Sequence, residues 1–233
     1  MKKILLLMAV ALPLVLISCG DDKDEPVAPD GHEWVDLGLP SGTLWATCNV
    51  GATAPEEYGD YFAWGETTPK EGYSWNTYKW CNSSEFSLAK YNTSSDYGPI
   101  DNKKQLDVED DAAQVNWGAS WRMPSLEQIQ ELCELCFWQW TQRNGVNGQL
   151  VTGPNGKTLF LPAAGGRGPN GLYNTDKCGY YWSRTLYSRD RLILEAAGPS
   201  HAYIQFFHSW EYEAWYDSRS VGFPVRAVRV SKK

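Results

Sequence analysis

The sequence predicts an α+β domain, loop-rich and built from short antiparallel strands with one or two helices. Three observations carry this expectation. Several short stretches alternate apolar and polar residues with the period of two that a half-buried strand requires. One stretch, opening at Ser125, combines a helix start signal with apolar residues at three- and four-residue steps. Between these stand irregular runs, in a chain of 233 residues with 21 Gly and 13 Pro.

The elements follow in chain order. Trp34 to Gly38 and Leu44 to Val50 alternate as strands around the turn Pro40-Ser41-Gly42. Tyr61 to Trp64 predicts a third strand, stopped by Gly65. From Glu66 to Leu106 periodicity is lost, a length that predicts a functional loop region or short elements invisible to pattern. Asp107 to Trp117 predicts a short helix with acids in its first turn and Gly118 as the stop. Ser125 and Gln128 form a capping box, and Leu126, Ile129, Leu132, Cys133, Cys136 and Trp140 make one stripe, so the helix is expected to reach Trp140. Leu150 to Thr152 and Lys157 to Leu161 flank Pro154-Asn155-Gly156 as a hairpin. Strands are expected at Tyr180 to Arg184, Ala202 to Phe207 and Phe223 to Val230. In the second of these, Ala202, Ile204 and Phe206 are expected on the core face, with Tyr203, Gln205 and Phe207 opposite.

The N-terminus reads as an export signal. Lys2 and Lys3 precede an apolar run, Ile4 to Ile17, too short and too poorly flanked to span a bilayer, and Ser18 stands before Cys19. Residues 1–18 are expected to be removed and Cys19 to be acylated. Buried acyl chains at ~0.8 kcal/mol per CH₂ then anchor the protein to a membrane. Residues 19–32 carry Asp21, Asp22, Asp24, Glu25, Pro26 and Pro29, the composition of a solvated tether. The folded domain is expected at 33–230, with a tail at 231–233.

Charge excludes one class of partner. Losing Lys2 and Lys3 with the signal leaves 19 basic against 28 acidic residues, a net of −9. Phosphate backbones repel such a chain, so nucleic acid is not expected as a partner. Twelve Trp and 13 Tyr are many for the size; most are expected to fill a core poor in aliphatic side chains, the rest to form a surface site. With Cys19 acylated, Cys48, Cys81, Cys133, Cys136 and Cys178 remain. That odd number leaves at least one thiol free or paired between molecules, and spacing assigns no disulfide.

Six ordered segments carry a resemblance. They are Trp34 to Ala46, Tyr61 to Glu66, Trp121 to Ser125, Leu161 to Gly165, Gly179 to Ser183 and Ser220 to Arg226. Together they are similar to the FISUMP (major paralogous domain) group of bacterial surface lipoproteins. That group is similar in turn to the C-type-lectin-like and formylglycine-generating-enzyme-like folds. The resemblance runs from Glu33 to Val230 and implies a single C-type-lectin-like domain whose long loops carry the binding surface. The acids after Cys19 resemble the surface-export signal of Bacteroidetes-type lipoproteins, which implies display on the outer face of the outer membrane. A non-enzymatic ligand-binding or adhesion module for a glycan or protein is then expected. The alternative is an oxidase-like enzyme of the formylglycine-generating-enzyme-like fold, but those copper enzymes use a late cysteine pair and only Cys178 follows Cys136 here.

Each candidate chemistry has a plainer competitor. Cys133-Glu134-Leu135-Cys136 has redox or zinc half-site spacing, yet redox pairs sit at a helix N-terminus and His32, His201 and His208 share no ligand spacing. Buried-stripe cysteines are the expectation. Asp107, Glu109, Asp110 and Asp111 offer oxygens suited to calcium, but consecutive acids also cap a helix, and no cofactor is expected. Arg122 is expected to be an ion-pair partner inside the fold. The candidate ligand-binding residues are His201, Tyr203, Gln205, His208, Trp210, Tyr212, Trp215 and Tyr216. Either these rings stand in solvent and stack on a ligand, or they pack beneath the 66–106 region.

Overall fold

The computed structural model describes residues 31–188 and 197–230. The export signal, Cys19, most of the tether and the tail lie outside them. The two ends of the domain meet on one sheet: β1 (Trp34–Asp36) pairs with β2 (Thr43–Ala46), and β2 with the last strand, Val228–Val230. All pairings in it are antiparallel, with Val35 and Val228 both opposite Trp45.

Two helices follow. The expected helix at Asp107 to Trp117 is split into a 3-10 turn, Val108–Asp110, and α1 (Ala112–Trp117). Asp111 divides them by capping α1, its Oδ1 accepting from Gln114 N at 3.1 Å and Met123 N at 3.0 Å. Helix α2 (Leu126–Leu135) starts as expected: Ser125 Oγ accepts from Gln128 N at 3.3 Å, and Gln128 Oε1 accepts from Ser125 N at 2.9 Å. Gln128 Nε2 also reaches Thr43 Oγ1 at 2.8 Å, tying the helix start to β2. Ile129 and Leu132 are fully buried, each burial stabilising by ~1.5–3 kcal/mol.

The helix does not reach Trp140. It ends at Leu135, and Phe137–Arg143 is a strand, β3, paired with β4 (Val146–Thr152), which pairs with β5 (Thr158–Pro162). Trp140 stands four residues after Cys136 and two after Trp138, so its position fits a helix stripe and a strand face equally. The two tryptophans share the strand face that packs on the core.

A two-stranded ribbon, β6 (Gly166–Gly168) and β7 (Gly171–Tyr173), leads to the central sheet of β8 (Gly179–Leu186), β9 (His201–Phe207) and β10 (Tyr212–Ser218), in the order β10-β9-β8. The final strand, Val228–Val230, is β11. The architecture is α+β, two helices and eleven strands in small antiparallel sheets, with no barrel among the described residues.

Strand β9 is covered on both faces. Ala202 and Ile204 join the cluster of Trp182 and Phe223, while Phe207 joins Leu132, Trp138 and Tyr181. Gln205 is buried and Phe206 is half-buried, so the expected division into a core face and a solvent face is corrected. A central strand between two cores has no free face.

Tyr61 to Trp64 is not a strand: Phe62 makes one isolated bridge, to Phe223. All four residues are nonetheless buried. Residues 66–106 form no sheet, yet Tyr73, Tyr78 and Leu88 build a third cluster there. Its order comes from aromatic hydrogen bonds to backbone carbonyls: Tyr73 OH to Tyr61 O, Tyr78 OH to Trp64 O at 2.7 Å, and Trp80 Nε1 to Gly65 O at 2.8 Å. Buried rings with a polar tip satisfy backbone that no ladder satisfies. Arg122 is no ion-pair partner among the described residues; its backbone bridges to Val228, and its Nε has no hydrogen-bond acceptor.

Candidate functional site

The turn between β9 and β10 positions the most exposed aromatic ring of the domain's described large hydrophobics. His208 N donates to Glu211 O at 2.9 Å, closing a turn of which Ser209 and Trp210 are the tip. His208 Nδ1 accepts from Trp210 N at 3.3 Å, and Nε2 lies 3.1 Å from Glu211 Oε2. The neutral ring therefore carries its proton on Nε2. Gln149 Nε2 donates to His208 O at 2.8 Å, fastening the turn to β4. Trp210 is 84% exposed, its ring 4.2 Å from that of His208.

Beside this tip opens a cleft of about 390 Å³. Trp140 and Asn147 line it from β3 and β4, and Asp176, Lys177 and Cys178 from the loop before β8. That loop is held in shape by Asp176, whose φ is +60°. Its Oδ1 accepts from Tyr58 OH at 3.0 Å and Asn147 N at 3.3 Å, its N donates to Ala163 O at 2.8 Å, and its carbonyl accepts from Asn147 Nδ2 at 3.1 Å. The cleft thus presents indole faces, a carboxylate, an amide and an ammonium on fixed backbone.

The eight residues expected at the site do not converge. His208 and Trp210 reach the cleft. Tyr212 stacks on Trp138, centroids 4.7 Å apart, and is 38% exposed. Gln205 is 3% exposed; its Oε1 accepts from Cys133 Sγ at 3.2 Å and its Nε2 donates to Glu213 O at 3.1 Å, so it faces no ligand. His201, Tyr203 and Tyr216 gather around Tyr187 at the other end of β9, roughly 20 Å away at ~3.4 Å per residue. Burial lowers the pKa of His201 there. Trp215 stacks on Tyr216 and is 43% exposed. Trp140, Asn147, Asp176, Lys177 and Cys178 are not among the residues expected at the site: the sequence places Trp140 in a helix stripe and Cys178 only among the cysteines, and folding alone brings the five to the tip.

Burial pushes the thiols of Cys133 and Cys136 up to about 11, and raises that of Cys48. Cys48 lines a different cleft from Cys178, with His32, Glu33 and Trp117. Within the tip cleft both His208 nitrogens are engaged, leaving neither to activate Cys178.

Oxygens of Asp107, Glu109 and Asp110 lie within 4.8 Å of one another. Lys90 Nζ stands among them, 2.7 Å from Asp107, 2.5 Å from Asp110 and 3.7 Å from Glu109. An ammonium holds the place a cation would take.

Comparison with known proteins gives no match: no family model, no curated protein and no solved structure is similar to the chain. No helix among the described residues is long and apolar enough to cross a membrane.

Proposed function

We propose that the protein is a lipid-anchored outer-membrane lipoprotein, displayed on the cell surface, whose domain is a non-enzymatic ligand-binding or adhesion module. The membrane contact is the acylated Cys19, the tether carries the domain clear of the bilayer, and the resemblance to FISUMP lipoproteins supports both. The ligand, a glycan or a protein, binds at the tip cleft. One observation carries this: Trp210 is left 84% exposed on a turn closed by His208 N to Glu211 O and fastened to β4 by Gln149, over a cleft lined by Trp140 together with Asn147, Asp176 and Lys177. An exposed indole on rigid backbone is a hot-spot anchor whose ordering cost is already met by the fold. The oxidase-like alternative requires two cysteines converging in an open cleft; the buried thiols of Cys133 and Cys136 and the separate positions of Cys48 and Cys178 favour the binding reading.

The test is a glycan array and a pull-down with the full chain in nonionic detergent, beside Trp210→Ala and Lys177→Ala. Both variants should keep the wild-type melting temperature, since exposed substitutions cost within about 0.5 kcal/mol, and lose ligand. A ligand held equally by Trp210→Ala would refute the cleft. Cys19→Ala should abolish labelling by a fatty-acid probe; equal labelling would refute the anchor.

A further inference from the structure

At Tyr212 and Ala214 the outer edge of β10 is open backbone among the described residues. β10 ends the order β10-β9-β8, so only its β9 side is paired among the described strands. The phase of that pairing is set at both ends of the hairpin, where His208 N donates to Glu211 O at 2.9 Å and Arg219 N donates to Ser200 O at 3.0 Å. Antiparallel pairs alternate between hydrogen-bonded and non-bonded. In the observed register, Glu213 opposite Phe206 and Trp215 opposite Ile204 are therefore bonded pairs. Tyr212 and Ala214 turn their N–H and C=O outward, where no described backbone group meets them.

The side chains sort by face. Glu211, Glu213 and Trp215 alternate along one side of the strand, and Tyr212 and Ala214 lie on the other, against which α2 packs. His208 Nε2 meets Glu211 at 3.1 Å, and no ion pair among the described residues reaches Glu213. Burial and then repulsion from Glu211 raise the pKa of Glu213. Edge strands are ordinarily blunted by Lys, Pro or a bulge. β10, Tyr212-Glu213-Ala214-Trp215-Tyr216-Asp217-Ser218, has neither Lys nor Pro.

We propose that the outer edge of β10 adds, as a further strand, an extended segment of a partner protein carrying Lys or Arg at alternate positions. Residues on the acid side of that strand meet Glu211 and Glu213 and lie over the Trp215 indole, a cation–π contact. Those on the other side meet Tyr212 and Ala214 and are small and apolar. Charge argues against a second copy of this chain, whose net charge is −7 and whose edge carries the same acids. This surface adjoins the tip cleft through Glu211, whose carbonyl and carboxylate hold His208, but it uses outward backbone and carboxylates that do not line the cleft.

The probe is a fluorescein-labelled peptide of alternating Lys and Val, titrated into the full chain in nonionic detergent and followed by anisotropy. It should bind, and the Glu–Val counterpart should not. N-methylating the Lys set or the Val set should separate: one set points at β10 and its methylation should weaken binding at least about tenfold, the other should not. Glu211→Gln with Glu213→Gln should also weaken binding about tenfold, as should Ala214→Pro, which removes an outward N–H only. If Ala214→Pro fails to fold, the double Gln variant and the methylated peptides still decide. The proposal is overturned by no binding of the Lys–Val peptide, by equal binding of both methylated forms, which means charge attraction alone, or by a wild-type dimer that Glu211→Gln with Glu213→Gln leaves intact and that excludes the peptide.

Discussion

The guanidinium of Arg219 lies 4.9 Å over the Trp64 ring, with no part of Arg219 exposed. Its Nε donates to Tyr78 OH at 2.9 Å, Nη1 to Tyr91 O at 3.0 Å and Pro199 O at 2.8 Å, and Nη2 to Lys90 O at 3.0 Å. One side chain, just past β10, thereby closes the irregular 66–106 region onto the central sheet. No carboxylate is in the set; carbonyl dipoles and ring faces solvate the charge.

Arg219→Met should therefore cost about 3 kcal/mol or more, because it strands buried acceptors. Arg219→Lys should not rescue it, since an ammonium cannot match a planar fork. Urea unfolding measures the loss, and limited proteolysis should cut within 66–106 first. Wild-type stability in either variant would remove Arg219 from this role.

The two phenylalanines at the end of β9 should differ. Phe207→Ala, in the inner core, should cost ~3–5 kcal/mol, and the half-buried Phe206→Ala about 1–2 kcal/mol. Melting temperatures decide, and the reverse order would mean that the strand is turned over.

Thiol reactivity should follow burial. With Cys133 and Cys136 near 11, only about one part in a thousand of each is thiolate at pH 8, so iodoacetamide should label Cys178 at the cleft wall before either. Labelling of the pair should climb as pH approaches 11. Fast modification of Cys133 at neutral pH, read by peptide mass spectrometry, would contradict its packing against Gln205.

Acid should erase the contribution of Asp107. Hydrogen bonds from Lys103 and Lys90 hold its carboxyl below the usual range. A depressed folded pKa stabilises above the unfolded value of about 3.9 and loses that stabilisation as pH falls through the folded value. Asp107→Asn should thus be about 1 kcal/mol less stable at pH 7 and equal to wild type near pH 2, by thermal unfolding. A gap that persisted in acid would point to packing instead of charge.

Local chemistry was legible where it acts within a few residues. The capping box at Ser125 and Gln128, the Pro154-Asn155-Gly156 hairpin and the Gly118 stop appear as read, because each is satisfied by backbone next to it. The tip cleft was legible only in part. His208 and Trp210 announce themselves as polar and aromatic residues at a strand end, whereas Asp176 and Trp140 join them through pairings spanning tens of residues.

By itself the sequence determined the α+β class, the start of α2 and the turns, and the excess of aromatic residues. The tertiary structure alone decided three things: that Trp140 belongs to a strand, that β9 is buried on both faces, and that tyrosine hydroxyls order residues 66–106. Periodicity records which residues along one element are apolar, but whether one face or two meet a core depends on the neighbours that fold against it.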